Sequence, residues 1–557
     1  MKKRVFPIVL IALTLAAAMA FYMFTKDPLA KEKSEISKSK DTPVESITVD
    51  KSTVENTYKP IPLNGLALWK NEKESQSSYP DGLDQITPID DSFNNYKNNY
   101  YGYTFTFPAN WTVDHHQVPY YTRFFNEDFR LDITVQNVDE NWTTPQGYIK
   151  ETIESVSPFI TSNHKWQQSS LTFQHVEYTR EVISGIENDM NHYSYYFISK
   201  NKLVYTFQLK STQASYQRQK EAVKTLIDSF ALTPIVEFDL NAKIKTTIQN
   251  TDLTLEHQYK TLYIPKNTFM MGIYTPNSYD IDTLESSIQQ KIGAQMFYKP
   301  INSEYDPYTQ ELVDKNRLPI ITFLYQEENN QNNKVVVKNI LNGSYDKQLE
   351  NWARQIKALD SPVLIRPGNE MNGEWSEWSS PNHYNDPDLY KFTFIHLVNV
   401  FKAAGATNAY FVWNPNHVSE PYYQWNEAAM YYPGDEVVDF VGMTSYNFGV
   451  TKWHGYQTFE ELYDQLYWDY SRSYYNKPLI IGEVGAVEEG GNKAEWITQM
   501  FQDLSTKYPN IKMALWFDQT HSPFDLRIQT SPASLNAFQN GMNQSYVIKQ
   551  LQEKNKE

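Results

Sequence analysis

The 557-residue chain has no cysteine. Disulfides, thiolate zinc sites, a cysteine nucleophile and a lipid-modified cysteine behind a leader are therefore excluded, and stability has to come from packing. Beyond the first four residues there is no cluster of lysine or arginine, and the net charge is −16. A surface of that sign does not hold a phosphate backbone, so nucleic acid is not an expected partner. The sequence also lacks a GxxxxGK(S/T) phosphate loop, a GxSxG nucleophile elbow and an HExxH zinc helix. His115 and His116 are adjacent, a spacing that does not suit a metal, and no dense carboxylate cluster asks for calcium. No cofactor and no metal are expected.

What is present is aromatic: 15% of residues, including 41 tyrosines and 13 tryptophans. That is more than a core needs and suits flat, hydroxyl-rich ligands, although tyrosines also cover sheet faces. The length favours two or more domains. The opening "MKKRVFPIVLIALTLAAAMAFYMF" is a basic end followed by an apolar run and reads as an export signal over residues 1–25. It has a cleavage-like site at Ala18-Met19-Ala20, yet residues 4–24 are also long enough to stay as a membrane anchor. Both readings place the bulk of the chain outside the cytoplasm, secreted or on the cell surface. Residues 26–92, rich in Lys, Glu, Ser, Asp and Pro, read as a disordered linker.

Residues 93–236 read as an α+β domain. Strands are expected at 100–113 (ending at Pro108), 129–136, 176–183, 192–199 and 202–210, and helices near 145–155 and at 216–232. From Phe269 the rhythm changes to eight apolar runs separated by amphipathic stretches, which predicts an α/β domain over 240–557: a (β/α)8 TIM barrel.

Active sites of such barrels lie at the C-terminal ends of the strands. Those ends carry Asn369-Glu370, Trp413-Asn414, Tyr446, Glu483 and Trp516. Two glutamates 113 positions apart (483 − 370) thus converge on a mouth rimmed with amide, phenol and indole groups. Cleaving a glycosidic bond takes one carboxylic acid to protonate the leaving oxygen and one carboxylate on the opposite face. Taken singly, a strand-end glutamate is more often a salt-bridged surface residue. Both of these directly follow a buried run, where a carboxylate needs a partner or a task. Glu374, Glu377, Glu488 and Glu489 lie further into the loops and read as solvated.

"RPGNEMNGEWSEW", "VWNPN", "YYPGDEVVDFVGMTSYN" and "KPLIIGEVGA", in this order, resemble the signatures of strands four to seven in glycoside hydrolase family 26, which includes β-mannanases and some β-glucanases and β-xylanases. The resemblance covers about residues 265–535 and implies a retaining mechanism, with Glu370 as acid/base and Glu483 as nucleophile. It also implies that Tyr446 orients the nucleophile, that Trp375 lines the cleft near the scissile sugar and that Trp516 stacks beneath it; Arg366, at the start of the same motif, is placed to pair with a carboxylate. Trp375 and Trp378 can serve as core residues, but as loop tryptophans beside a catalytic acid they read as a stacking floor for sugar rings. With Asn369, Trp413 and Asn414 these complete the expected substrate-binding and orienting set. Asn369 departs from the histidine of many family mannanases. It matches instead the asparagine that binds the 2-hydroxyl in the wider clan of retaining barrels, which leaves mannan, glucan, xylan or an exopolysaccharide open as backbone. A second resemblance, of "YGYTFTFPANWTV" and "LIDSF" to PsbP-like domains, implies a docking, ligand-binding or spacer role for 93–236. The expected partner is a β-linked polysaccharide or oligosaccharide, and a monomer is expected. The alternatives are a catalytically silent surface glycan-binding protein and a scaffold whose barrel is incidental.

Overall fold

Alternation along the strand His192–Lys200 decides how the first half of the chain is built. Tyr193, Tyr195 and Phe197 point to one side and Tyr196 and Ile198 to the other, and both sets are buried. A strand apolar on both faces needs cover on both. The computed structural model describes residues 47–49, 58–65, 80–114, 118–139, 143–240, 251–257, 260–276, 280–330, 334–359, 361–450, 455–474 and 476–553. Residues 4–24, expected as leader or anchor, lie outside this set. Among the described residues no helix is long and apolar enough to cross a membrane.

The strand sits inside a seven-stranded antiparallel sheet, between Leu203–Ser211 and Leu171–Thr179. One face packs on a second, four-stranded sheet and on helix α2 (Gln213–Asp228), with Phe105, Phe124, Phe207 and Leu226 in the layer between. The other face meets helix α1 (Pro145–Glu154), capped by Thr144, and then the barrel. The strand expected at 176–183 runs instead over Leu171–Thr179, because Arg180 turns out of the ladder to a two-toothed ion pair with Asp189, both bonds 2.6 Å. Strands Asp84–Pro88, Tyr121–Phe125 and Ile160–Gln168 were not anticipated.

The stretch 26–92 is not a solvated tether throughout. Ile47–Val49 pairs in parallel with Leu253–Leu255. Tyr58 and Ile61 hold the Asn399 side chain, with the Tyr58 hydroxyl 2.5 Å from Asn399 Oδ1. Asp84–Pro88 is an edge strand of the four-stranded sheet.

The eight apolar runs form the eight parallel strands of a closed barrel: β1 (Phe269–Tyr274), β2 (Ala294–Pro300), β3 (Leu318–Leu324), β4 (Val363–Pro367), β5 (Ala409–Trp413), β6 (Phe440–Asn447), β7 (Leu479–Ala486) and β8 (Ile511–Phe517). The β1–β2 and β1–β8 pairings close the ring. Side chains such as Met296, Ile320, Leu364 and Met513 fill the interior, and the hairpin Leu253–Ile264 plugs the bottom with Leu255 and Leu262. The alternate residues pack outward against the helices. Helix α3 (Pro387–Ala403), which follows β4, is buried for most of its length.

Candidate active site

Strict alternation along β7 would send Glu483 outward with Ile481. A bulge prevents this: Met443 and Thr444 of β6 pair with Ile481 and Glu483, so Gly482 is skipped, and the pairing with β8 shifts over the same residues. The bulge re-aims the Glu483 side chain into the barrel. Gly482 is required there, because a Cβ on it would stand 1.8 Å from Asn414 Oδ1 and 2.8 Å from Arg366 Nη1.

Glu483 is 5% exposed and is held from three sides. Arg366 Nη2 donates to Oε1 at 2.5 Å, the Tyr298 hydroxyl donates to Oε1 at 2.6 Å, and the Tyr446 hydroxyl donates to Oε2. Arg366 is fixed in turn by Thr322 Oγ1 at 2.9 Å and Asn414 Oδ1 at 3.1 Å. The hydroxyls of Tyr298 and Tyr446 are pushed well above their usual pKa by burial first and by the Glu483 charge second, so both stay donors.

Glu370 stands just past the end of β4 in the left-handed region, at φ 55°, two residues after Gly368 at φ 50°. A glutamate rarely adopts that conformation, and such strain persists where the surroundings impose it. Here the Glu370 amide donates to Asn414 O at 2.8 Å and the Trp378 indole donates to Asn369 O at 2.9 Å. The only side chain hydrogen-bonded to the Glu370 carboxyl among the described residues is Trp375, whose indole donates to Oε2 at 3.2 Å. Burial, and then the negative charge of Glu483, push the Glu370 carboxyl up to about 8. The pair therefore divides into a charge held by a guanidinium and a carboxyl that keeps its proton at neutral pH.

Asn369 lies between them, its amide nitrogen 3.5 Å from Glu483 Oε1 and its buried carbonyl oxygen without a hydrogen-bond partner. That oxygen is a buried acceptor left unsatisfied beside both glutamates. Beside Glu483, Tyr274 stacks on Phe517 (4.7 Å) and Tyr446 on Phe448 (5.3 Å), giving an aromatic wall.

Of the expected residues, Glu370, Glu483, Asn369, Arg366, Tyr446 and Trp375 come together. Four others are placed elsewhere. Trp413 and Trp516 are fully buried on the outer face of the barrel, Trp413 among Tyr432 and Tyr474, and Trp516 against Trp496 and Phe538 with its indole bonded to Leu526 O at 2.8 Å. Neither can meet a sugar. Trp378 is 6% exposed and buttresses Asn369 from behind. Asn414 is fully buried and positions Arg366. Glu488, expected to be solvated, accepts from Thr530 and Ser534, both at 2.7 Å. Tyr298 was missed, although it continues the inward series Ala294, Met296 along β2. Among the described residues no group of three or more potential metal ligands occurs.

The comparison with known families bears on this same region. Residues 305–484 match the family model described as "Glycosyl hydrolase family 26". That span runs from before β3 to just past Glu483, and so contains both glutamates, Arg366 and Tyr446. Among curated relatives, "Endoglucanase H" of Acetivibrio thermocellus is 32% identical over 42% of this chain and 25% of its own length. "Beta-1,3-xylanase TXYA" of a Vibrio species is 29% identical over 26% of this chain and 28% of its own. "Mannan endo-1,4-beta-mannosidase" of Bacillus subtilis is 27% identical over 34% of this chain and 50% of its own. The chain spans half or less of the length of each of these relatives.

Proposed function

We propose that this protein is a retaining β-glycoside hydrolase acting on a β-linked polysaccharide. The observation that carries the reading is the division of labour between its two facing glutamates. Glu483, anionic against Arg366, is the nucleophile. Glu370, protonated at neutral pH, is the acid that protonates the leaving oxygen and then the base that activates water. Asn369 offers its free carbonyl oxygen to a sugar hydroxyl, and Trp375 and the Tyr274–Phe517 wall flank the ring. The backbone sugar is a glucan, xylan or mannan, in keeping with the names of the three relatives. Delivery outside the cytoplasm, by cleavage near Ala20 or anchoring through residues 4–24, is part of the same proposal, since such polymers lie there. The PsbP-like resemblance of residues 93–236 adds a docking role to it.

The test is the full chain incubated with mannan, mixed-linkage glucan, β-1,3-xylan and β-1,4-xylan, with reducing ends counted and the first-formed anomer read by NMR. New reducing ends of retained configuration on one backbone are expected. Inverted product, or none on any of the four, would reject the proposal.

Three further outcomes are expected of the active protein. Because Glu370 must be protonated to act as acid, kcat/KM should fall as pH rises through about 8. The same group should make the fold less stable with rising pH: its folded-state value lies above the usual 4.5, so the folded chain binds the proton more tightly across that window, and stability is lost between about 4.5 and about 8. Thermal unfolding followed across that range checks the sign. Tyr298→Phe removes one donor to Glu483 and should lower kcat/KM by about 10- to 100-fold with little change in unfolding temperature.

A further inference from the structure

The loop that carries Glu370 and Trp375 runs to the start of α3, and its far end is held by the N-terminal domain rather than by the barrel. Asp386 caps α3, its side chain accepting from the Asp388 amide at 3.2 Å. From the sheet face opposite, Tyr193 donates to Asp386 at 2.5 Å and Lys210 to Asp386 at 2.6 Å and to Asp388 at 2.8 Å. Arg130 adds a 2.6 Å ion pair to Asp388. All of these groups are buried, and although Arg130 also pairs with Asp132 and Asp388 with Lys391 on their own sides, the charges are shared across the domain boundary.

The two residues before the cap are both left-handed, Tyr384 at φ 59° and Asn385 at φ 52°. A tyrosine there is strained. The N-terminal domain binds each of them: Tyr178 donates to Tyr384 O at 2.8 Å, Asn385 donates to Thr152 O of α1 at 2.5 Å, and Ser155 donates to Asn385 Oδ1 at 2.8 Å. From Asn385 the bonding continues inward. Its amide donates to Ser380 O at 2.9 Å, the Asn382 side chain donates to Ser376 O at 3.0 Å, and the Ser376 hydroxyl reaches Glu370 O at 3.4 Å. The loop after β5 is gripped in the same way, Trp425 donating to Thr152 Oγ1 at 3.3 Å while its neighbour Asn426 donates to Asn372 O at 2.9 Å.

We propose that the N-terminal domain is a positioning element of the candidate active site, which sets the 371–386 loop, and with it Glu370 and Trp375, through Tyr178, Ser155 and Thr152. This gives the domain a task inside the barrel's chemistry, and the catalytic part of the inference rests on the glycosidase reading above. It predicts that the loop loosens when these contacts are cut even though no residue of the barrel has changed.

The test uses the full chain with Tyr178→Phe and Ser155→Ala combined, substitutions that remove two hydroxyls and leave the buried charges paired. Amide exchange is the first readout. The amides of 376–386 should exchange at least about tenfold faster than in the parent while β5 is unchanged. Unchanged exchange in the loop would overturn the inference, whatever the activity. The second readout is kcat/KM on a phenyl and a dinitrophenyl glycoside of the sugar that the parent cleaves. Dinitrophenolate leaves without a proton, so a misplaced acid should cost about tenfold on the phenyl substrate and less than about twofold on the dinitrophenyl one. Equal losses on both would mean a general defect and would also overturn it. A parent that cleaves no glycan defeats the glycosidase reading alone, since the exchange result still decides whether the domain sets the loop.

Discussion

Glu483→Ala should lower turnover by at least about 10⁴-fold, the scale on which removal of a nucleophile acts. The loss follows from geometry that no neighbour can replace. The carboxylate sits on a bulge between Arg366, Tyr298 and Tyr446, and the nearest other acid, Glu370, is the one kept protonated. The variant also leaves a carboxylate-sized gap beside an unpaired guanidinium. Azide should enter that gap and restore turnover of an activated aryl glycoside, because it supplies both the missing charge and the missing nucleophile. It would attack the face that Glu483 attacked, so the glycosyl azide should have the anomeric configuration opposite to the substrate. With Glu370→Ala the glycosyl-enzyme still forms on Glu483 and azide enters from the other side, so the azide product should retain configuration. Parent-like turnover in Glu483→Ala, or the same azide anomer from both variants, would undo the assignment of roles.

The barrel was legible because parallel strands covered on both faces must be apolar at every position, which leaves uninterrupted runs such as "LPIITFLY" at 318. Which strand-end residues face the mouth was less so. Trp413 follows Ala409 and Phe411 on the outer face of β5, and Trp516 follows Ala514 on that of β8. Alternation along each strand places both indoles on the outer face, whatever the chemistry of indole suggests. Tyr298 could have been found by the same count along β2. Glu483 is the reverse case: counting alone would have turned it outward, and only the bulge at Gly482, set by the close approach of Asn414, brings it in. The domain contacts were not readable. Arg130, Lys210, Asp386 and Asp388 look like ordinary surface charges in sequence, and their burial depends on a docking between segments some 180 to 260 positions apart (386 − 210 = 176; 388 − 130 = 258).

Arg366→Met should be the most costly change outside the two glutamates, because it acts on stability and chemistry at once. Methionine keeps an unbranched apolar stem and loses the bonds to Thr322, Asn414, Tyr298 and Glu483. Glu483 would be left as a buried charge without its cation, a change that costs about 3–5 kcal/mol. At the same time the nucleophile loses the guanidinium that holds it in place, so turnover at neutral pH should drop by about 10²- to 10³-fold. A double variant separates the two effects. Adding Glu483→Gln removes the stranded charge, so the unfolding temperature should recover above that of Arg366→Met while activity stays lost. If the double variant were no more stable than the single one, the guanidinium would be serving Thr322 and Asn414 rather than the carboxylate. The electrostatic basis for assigning opposite tasks to the two glutamates would then be gone.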